Sequence, residues 1–367
     1  MFTKIRQNKV AWLLTKTFLI VVAAMLCAAG IGRLALSNTV RPPEIPAIAI
    51  AAAPVPLQEG DGFEGFTSGR GNLMAGTVNE TADELPPPLL PQFEERRPMF
   101  FTFLIFGLTE GLNANTIMVA AYDAEAGRGY IISIPRDTKV DVPRNSRKIV
   151  SAYPVGRLGG RGHAGGVEQM KYEVSTLIGF KPDFYISVDY EAFVRLVDAV
   201  GGIEIYVPFH MRYDDPFQNL HIDLQPGLRV LNGRDALHFA RYRTGNDRRL
   251  SISDYQRIEH QQQVLSAVFQ ELVTPASILR IPEFISIFNS YVDSDLTTGE
   301  LIWFANQARS ISGTDALHLY TLPMLGTGGP PRWYELADEE GILELVNRTI
   351  NPFTREITAE DLRVVVE

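Results

Sequence analysis

The chain has 367 residues, a formal net charge of −9 and 46% hydrophobic residues. That is enough apolar material for a large core, while the acidic balance argues against a general nucleic-acid binder, which needs a positive surface. Its one cysteine, Cys27, leaves no internal disulfide or thiolate metal site, and its six histidines show no HExxH spacing, so zinc hydrolase chemistry loses its usual support.

In chain order, Lys4, Arg6, Lys9 and Lys16 precede an apolar run that ends near Gly32, with Arg33 and Arg41 beyond it. The spacing predicts a cytoplasmic N-terminus over residues 1–9 and a transmembrane anchor over 10–36, with a cleaved signal peptide as the competing reading. The charge bias places the remainder outside the cytoplasm, as a single-pass protein of the inner or cytoplasmic membrane with a periplasmic domain. Residues 37–98 shift to Ala, Pro, Gly and Glu, with Pro86, Pro87 and Pro88 in succession, and read as an extended linker.

The folded part is expected over residues 99–311, with 312–367 as a C-terminal extension of the same domain. Short apolar runs predict strands at Phe100 to Phe106, Thr116 to Tyr122, Tyr130 to Ile134, Phe184 to Val188 and Ile203 to Val207. Between the last two, Phe193, Leu196, Val197 and Val200 recur at helical spacing and read as a core stripe, and Trp303 and Phe304 read as packing. Strands alternating with helices indicate an α/β domain. Gly160, Gly162 and Gly165 fit G-x-G-x-x-G, but no buried strand precedes them, so they read as loop punctuation before a helix over Gly166 to Ile178.

The segment from Arg234 to Arg257 carries six arginines (Arg234, Arg241, Arg243, Arg248, Arg249 and Arg257), no lysine and three acids. Arginine's planar fork suits phosphate oxygens better than lysine's point charge. If extended, Arg241 and Arg243 would share one face. Two guanidinium groups about 6 Å apart repel by roughly 3 kcal/mol at an effective dielectric near 20, so they need an anion, either a ligand or a neighbouring carboxylate. A helix is expected from Asp254, read as its N-cap, and on its wheel Arg257 and Gln261 fall inside the apolar stripe of Ile258, Leu265, Val268, Phe269 and Leu272. A buried arginine must be paired, by a ligand or a structural carboxylate. Ser133-Ile134-Pro135-Arg136-Asp137-Thr138 places another arginine after a strand, a position that commonly carries ligand groups in α/β sheets.

These segments, in this order, resemble the LytR-CpsA-Psr family of cell-envelope glycopolymer transferases. The matching stretches are Asn115 to Val119, Ser133 to Thr138, Phe193 to Val207, Leu231 to Leu237, Arg241-Tyr242-Arg243 and Arg257 to Gln262. The resemblance implies a single α/β domain with a central mixed β-sheet flanked by helices and a hydrophobic groove for a polyprenyl chain. It also implies transfer of a glycopolymer phosphate from a polyprenyl-pyrophosphate carrier to an acceptor such as peptidoglycan, with Mg²⁺ assistance. By motif position Arg136, Arg241, Arg243 and Arg257 would be the catalytic groups, binding the pyrophosphate together with Gln261 and, from a weaker match, Lys148. Two family aspartates are replaced here, by Thr109 and Asn115, which should weaken or abolish Mg²⁺ binding; Glu110 and Asp137 are the nearby oxygen sources. His260 stands where the family usually has arginine. The alternative to a transferase is a catalytically weakened polyprenyl-phosphate-binding protein, while a transcriptional regulator has no supporting basic helix.

Overall fold

The structure, a computed structural model, describes residues 95–365 except 109–111, 217–219, 247–249, 273–279, 309–316 and 329–332, together with 42, 43 and 45. The anchor expected over 10–36 and most of the linker lie outside the described residues; among those described, no helix is long and apolar enough to cross a membrane.

Strands β1 (Phe100–Leu108), β2 (Ala114–Asp123) and β3 (Arg128–Ser133) form an antiparallel meander. The chain then crosses through α1 (Ala152–Gly156) and α2 (Gly162–Ile178) to β4 (Phe184–Val188), which pairs with β1 in parallel. Next come α3 (Tyr190–Ala199), β5 (Ile203–Val207), β6 (Met211–Asp215), β7 (Leu220–Leu224), β8 (Gly227–Leu231), α4 (Gly233–Arg241) and α5 (Asp254–Leu272). They are followed by α6 (Ile281–Tyr291), β9 (Val292–Ser294), α7 (Thr298–Ala308), β10 (Leu317–Thr321), β11 (Met324–Thr327), β12 (Glu335–Ala337) and α8 (Glu339–Thr349). The central six-stranded sheet runs β10-β3-β2-β1-β4-β9 and mixes parallel with antiparallel pairs. The expected α/β class and mixed sheet are therefore present. The strand at Ile203–Val207 is not part of that sheet, because it pairs with β8 in a separate ribbon.

β1 reads as an unbroken apolar run because both of its faces are covered. Phe101, Phe103 and Ile105 face one core, shared with α3 to α7, while Phe100, Leu104 and Phe106 face a second core built with α2 and α8. Phe304 is fully buried, with its ring 5.1 Å from that of Phe101 and 5.3 Å from that of Phe103, so the packing reading of this residue holds. The helix after the glycines begins at Gly162 rather than Gly166, and a helical segment rather than a strand precedes it.

The Leu231-Asn232-Gly233-Arg234-Asp235-Ala236-Leu237 stretch has a local physical explanation. Asn232 caps α4 by accepting a hydrogen bond from the Asp235 amide at 2.9 Å. The Gly233 amide donates to Asp198 Oδ1 at 2.7 Å, which ties α4 to the end of α3. A β-carbon at Gly233 would sit 2.1 Å from the Val194 carbonyl oxygen, so only glycine lets the two helices approach this closely. The helix α4 also packs on α5, with Phe239 stacked on His260 at 4.4 Å between centroids. Burial holds the His260 imidazole at a pKa of about 4.

Two outcomes follow from this packing. Gly233→Ala should lower stability by about 1–3 kcal/mol, read from the urea midpoint, because the backbone of α3 cannot yield without shifting. For His260, the unfolded chain, with its imidazole near pKa 6.5, binds the proton first between about pH 6.5 and 4. Stability from the neutral ring is therefore whole above about pH 6.5 and declines as pH falls toward 4, by about 3 kcal/mol at most. Urea titrations across that window should show a shallower pH slope for His260→Phe than for the native chain.

Candidate functional site

On the sheet face covered by α3 to α7 lies a cavity of about 920 Å³. Its apolar wall comes from Ile105 and Met118 on the sheet, Phe193, Leu196 and Val197 on α3, Leu237 on α4, Val264, Leu265 and Val268 on α5, and Phe288 on α6. The α3 stripe expected to be core is thus largely cavity wall, with only Val200 left out of the lining. The periodicity is the same in both cases; what differs is whether another apolar side chain fills the space opposite. Arg136, Arg241, Arg243, Arg257, Gln261 and Asn115 line the same cavity. Along α5 the lining runs from Arg257 to Val268, about 16 Å of helix axis, so a basic end and an apolar reach belong to one space.

The basic end is organised by Asp254. Its carboxylate accepts from Arg243 Nη2 at 2.9 Å and Arg136 Nε at 3.3 Å, and Arg257 Nη1 lies 3.4 Å away. Asp254 is not the cap of α5. The Ser253 hydroxyl accepts from the Gln256 amide at 3.1 Å while the Gln256 side chain accepts from the Ser253 amide at 2.9 Å, a reciprocal capping box. That exchange leaves the Asp254 carboxylate free for the arginines, and Ser-x-x-Gln before an apolar stripe is a signal readable in the sequence. Burial alone would raise the Asp254 pKa, but Arg257, Arg136 and Arg243 together outweigh it and hold the carboxyl below its ordinary value. Burial, opposed by Asp254 and reinforced by Arg136 and Arg243, brings the Arg257 pKa down to about 10, so the guanidinium stays charged at neutral pH.

Arg257 is 5% exposed, in agreement with its inward place on the helical wheel. Among the described residues its Nε has no hydrogen-bond partner. Arg241 and Arg243 do not share a strand face. Arg241 is the last residue of α4, the chain turns extended at Tyr242, and the buried Tyr242 ring pins that turn through a 2.7 Å bond from its hydroxyl to the Leu250 carbonyl. Both arginines nevertheless reach the cavity, Arg241 with its guanidinium 4.2 Å from the centroid of the Tyr190 ring. Asn115, which lines the cavity, accepts from Arg136 Nη1 at 2.9 Å and so orients it. Gln262, whose part the sequence did not disclose, donates to Ser133 Oγ at 3.1 Å and to the Tyr320 carbonyl at 3.3 Å, anchoring α5 to the ends of β3 and β10.

Other candidates fall elsewhere. Lys148 is not in the cavity lining; its Nζ lies 3.0 Å from Asp137 Oδ1, which also engages that acid. Arg234 is exposed, and Arg248, Arg249, Thr109 and Glu110 lie outside the described residues. His260 is turned into the α4–α5 packing and away from the cavity lining. Among the described residues no group of three or more His, Cys, Asp or Glu could hold a metal ion. Asn115 supplies an amide oxygen, already used by Arg136.

The LytR_cpsA_psr family model matches residues 97–349. The regulatory protein MsrR of Staphylococcus aureus (strain COL) is 28% identical over 185 residues, covering 50% of this chain and 51% of its own, so the match spans about half the length of that relative. The polyisoprenyl-teichoic acid–peptidoglycan teichoic acid transferase TagV of Bacillus subtilis (strain 168) is 26% identical over 264 residues, covering 68% of this chain and 63% of its own. The crystal structure of B. subtilis TagV has the same fold, with a TM-score of 0.54 at 22% identity over 69% of this chain and 96% of that one. With its sheet, its cavity and its ordered set of arginine motifs, this chain belongs to the LytR_cpsA_psr family.

Proposed function

We propose that the protein is a membrane-anchored, extracytoplasmic phosphotransferase that moves a glycopolymer phosphate from a polyprenyl-pyrophosphate carrier to an envelope acceptor such as peptidoglycan. The observation that carries this reading is the joining of three guanidinium groups around one carboxylate to an apolar space of about 920 Å³. Three cations against one anion leave a surplus positive charge suited to a pyrophosphate, and the apolar wall suits the isoprenoid chain. The name of TagV, a transferase of teichoic acid from a polyisoprenyl carrier to peptidoglycan, supports the same substrate class.

In this reading an acceptor hydroxyl attacks the sugar-linked phosphorus. The bond from that phosphorus to the bridging oxygen breaks, and the polyprenyl phosphate leaves with its electron pair, the hydroxyl proton balancing the charge. Arg136, Arg241, Arg243 and Arg257 stabilise the charge that develops on the phosphate oxygens, and Gln261 adds a neutral donor. The amide of Asn115, already engaged by Arg136 where a carboxylate could have met a cation, favours the second reading: a weakened enzyme that holds polyprenyl-phosphate lipids.

Purified full-length protein given a polyprenyl-pyrophosphate-linked saccharide and an acceptor glycan should release polyprenyl phosphate with and without Mg²⁺; tight lipid binding without turnover in either condition would establish the binding protein instead. Arg257→Ala should weaken polyprenyl-pyrophosphate binding by roughly 10–100-fold. Its melting temperature should shift little, since Asp254 keeps Arg136 and Arg243 as partners. A large stability loss with unchanged lipid affinity would assign Arg257 to structure alone. Protease accessibility of the intact cell envelope, with the domain digested only after outer access is allowed, checks the proposed topology.

A further inference from the structure

Beside the arginine cluster, the C-terminal extension carries an aromatic surface that the pyrophosphate site does not use. The strand β12 lies against the Arg136 loop: the Glu335 amide donates to the Asp137 carbonyl at 3.0 Å, and the Lys139 amide donates to the Glu335 carbonyl at 2.9 Å. From the other side Tyr255, the residue after Asp254, donates its hydroxyl to Glu335 Oε2 at 3.3 Å. Burial and the Glu335 charge push the Tyr255 phenol up to about 12, so it remains a donor. Next to Glu335, the Tyr334 ring lies 5.8 Å from Lys139 Nζ and 6.0 Å from Lys148 Nζ. Trp333 precedes them and is 61% exposed, while Tyr255 is 40% exposed. Trp333 lies two residues before Glu335 in the chain, within about 7 Å of it along the backbone.

An exposed indole costs solvation without contributing to the core, and the two residues that follow it in the chain bring a carboxylate bonded to a phenol, and an aromatic ring beside two ammonium groups. Those are the complements of a sugar ring: a flat apolar C–H face to stack, and hydroxyl or acetamido groups to donate and accept. Lys148, expected at the pyrophosphate, belongs to this surface through its contacts with Asp137 and Tyr334.

We infer that Trp333, Tyr255 and Glu335 form a saccharide subsite, contiguous with the arginine cluster, that stacks a sugar ring of the glycan substrate. This rests on the transferase reading for the identity of the glycan, but not for the existence of the subsite. The sugar can come from the donor polymer or from the acceptor glycan, which share the chemistry.

The test uses full-length protein and two probes measured separately by calorimetry: a free oligosaccharide of N-acetylglucosamine, and polyprenyl pyrophosphate with and without a saccharide head. Trp333→Ala should weaken the free oligosaccharide, or remove the affinity that a saccharide head adds to the lipid, by roughly tenfold, with Trp333→Phe partly restoring it. Loss in the first arm alone assigns the subsite to the acceptor, and loss in the second assigns it to the donor. Affinity for the headless lipid and the melting temperature should not change. If Trp333→Ala leaves both saccharide affinities intact, or the native protein binds neither, the subsite is overturned. If the native protein binds the oligosaccharide but not the headless lipid, the subsite stands and the polyprenyl reading fails.

Discussion

A single carboxylate holding three guanidinium groups is the constraint on which the site depends. Arg136 comes from the loop after β3, Arg243 from the turn after α4 and Arg257 from the first turns of α5, and all three meet at Asp254. That anion offsets part of their mutual repulsion, and a second one would halve the surplus charge that can recruit a ligand. The capping box at Ser253 and Gln256 makes this possible by satisfying the helix end with other groups.

The same helix couples the charge to the apolar space. α5 begins in the arginine cluster and continues past Val264, Leu265 and Val268 along the cavity, so lipid and phosphate recognition share one rigid element. Its position is set from behind by the stacking of Phe239 on His260 and from the sheet by Gln262 bonding to Ser133 and Tyr320. His260, buried against the Phe239 ring, is neutral at ordinary pH and serves the α4–α5 contact.

Asn115 keeps the balance of the site toward arginine. Where an aspartate would add a negative charge, Asn115 adds a dipole that orients Arg136 without cancelling it. Acids near the cluster are instead distributed to its flank: Asp137 faces Lys148, and Glu335 faces Tyr255 and Thr327. The flank carries carboxylates, cations and aromatic rings together, whereas the cavity carries arginine and apolar groups, and the two surfaces meet at the Arg136–Asp137 peptide.

Much of this molecule was legible in its amino-acid order. Strands buried on both faces read as apolar runs, which places β1 to β4; β5 alternates buried with exposed residues and is marked by Ile203, Ile205 and Val207, and the period of α5 turns Arg257 and Gln261 inward. Those inferences depend on local geometry, which follows from residue spacing alone. Pairing is different: that β5 leaves the main sheet for β8, that Arg241 and Arg243 straddle a helix end, and that Lys148 turns to Asp137 depend on contacts between distant segments. The α3 stripe shows the boundary most clearly. Its periodicity specified an apolar face, but only the tertiary arrangement of α4, α5 and α6 opposite Phe193, Leu196 and Val197 left that face lining a cavity, because spacing encodes which side is apolar and not how far away the next wall stands.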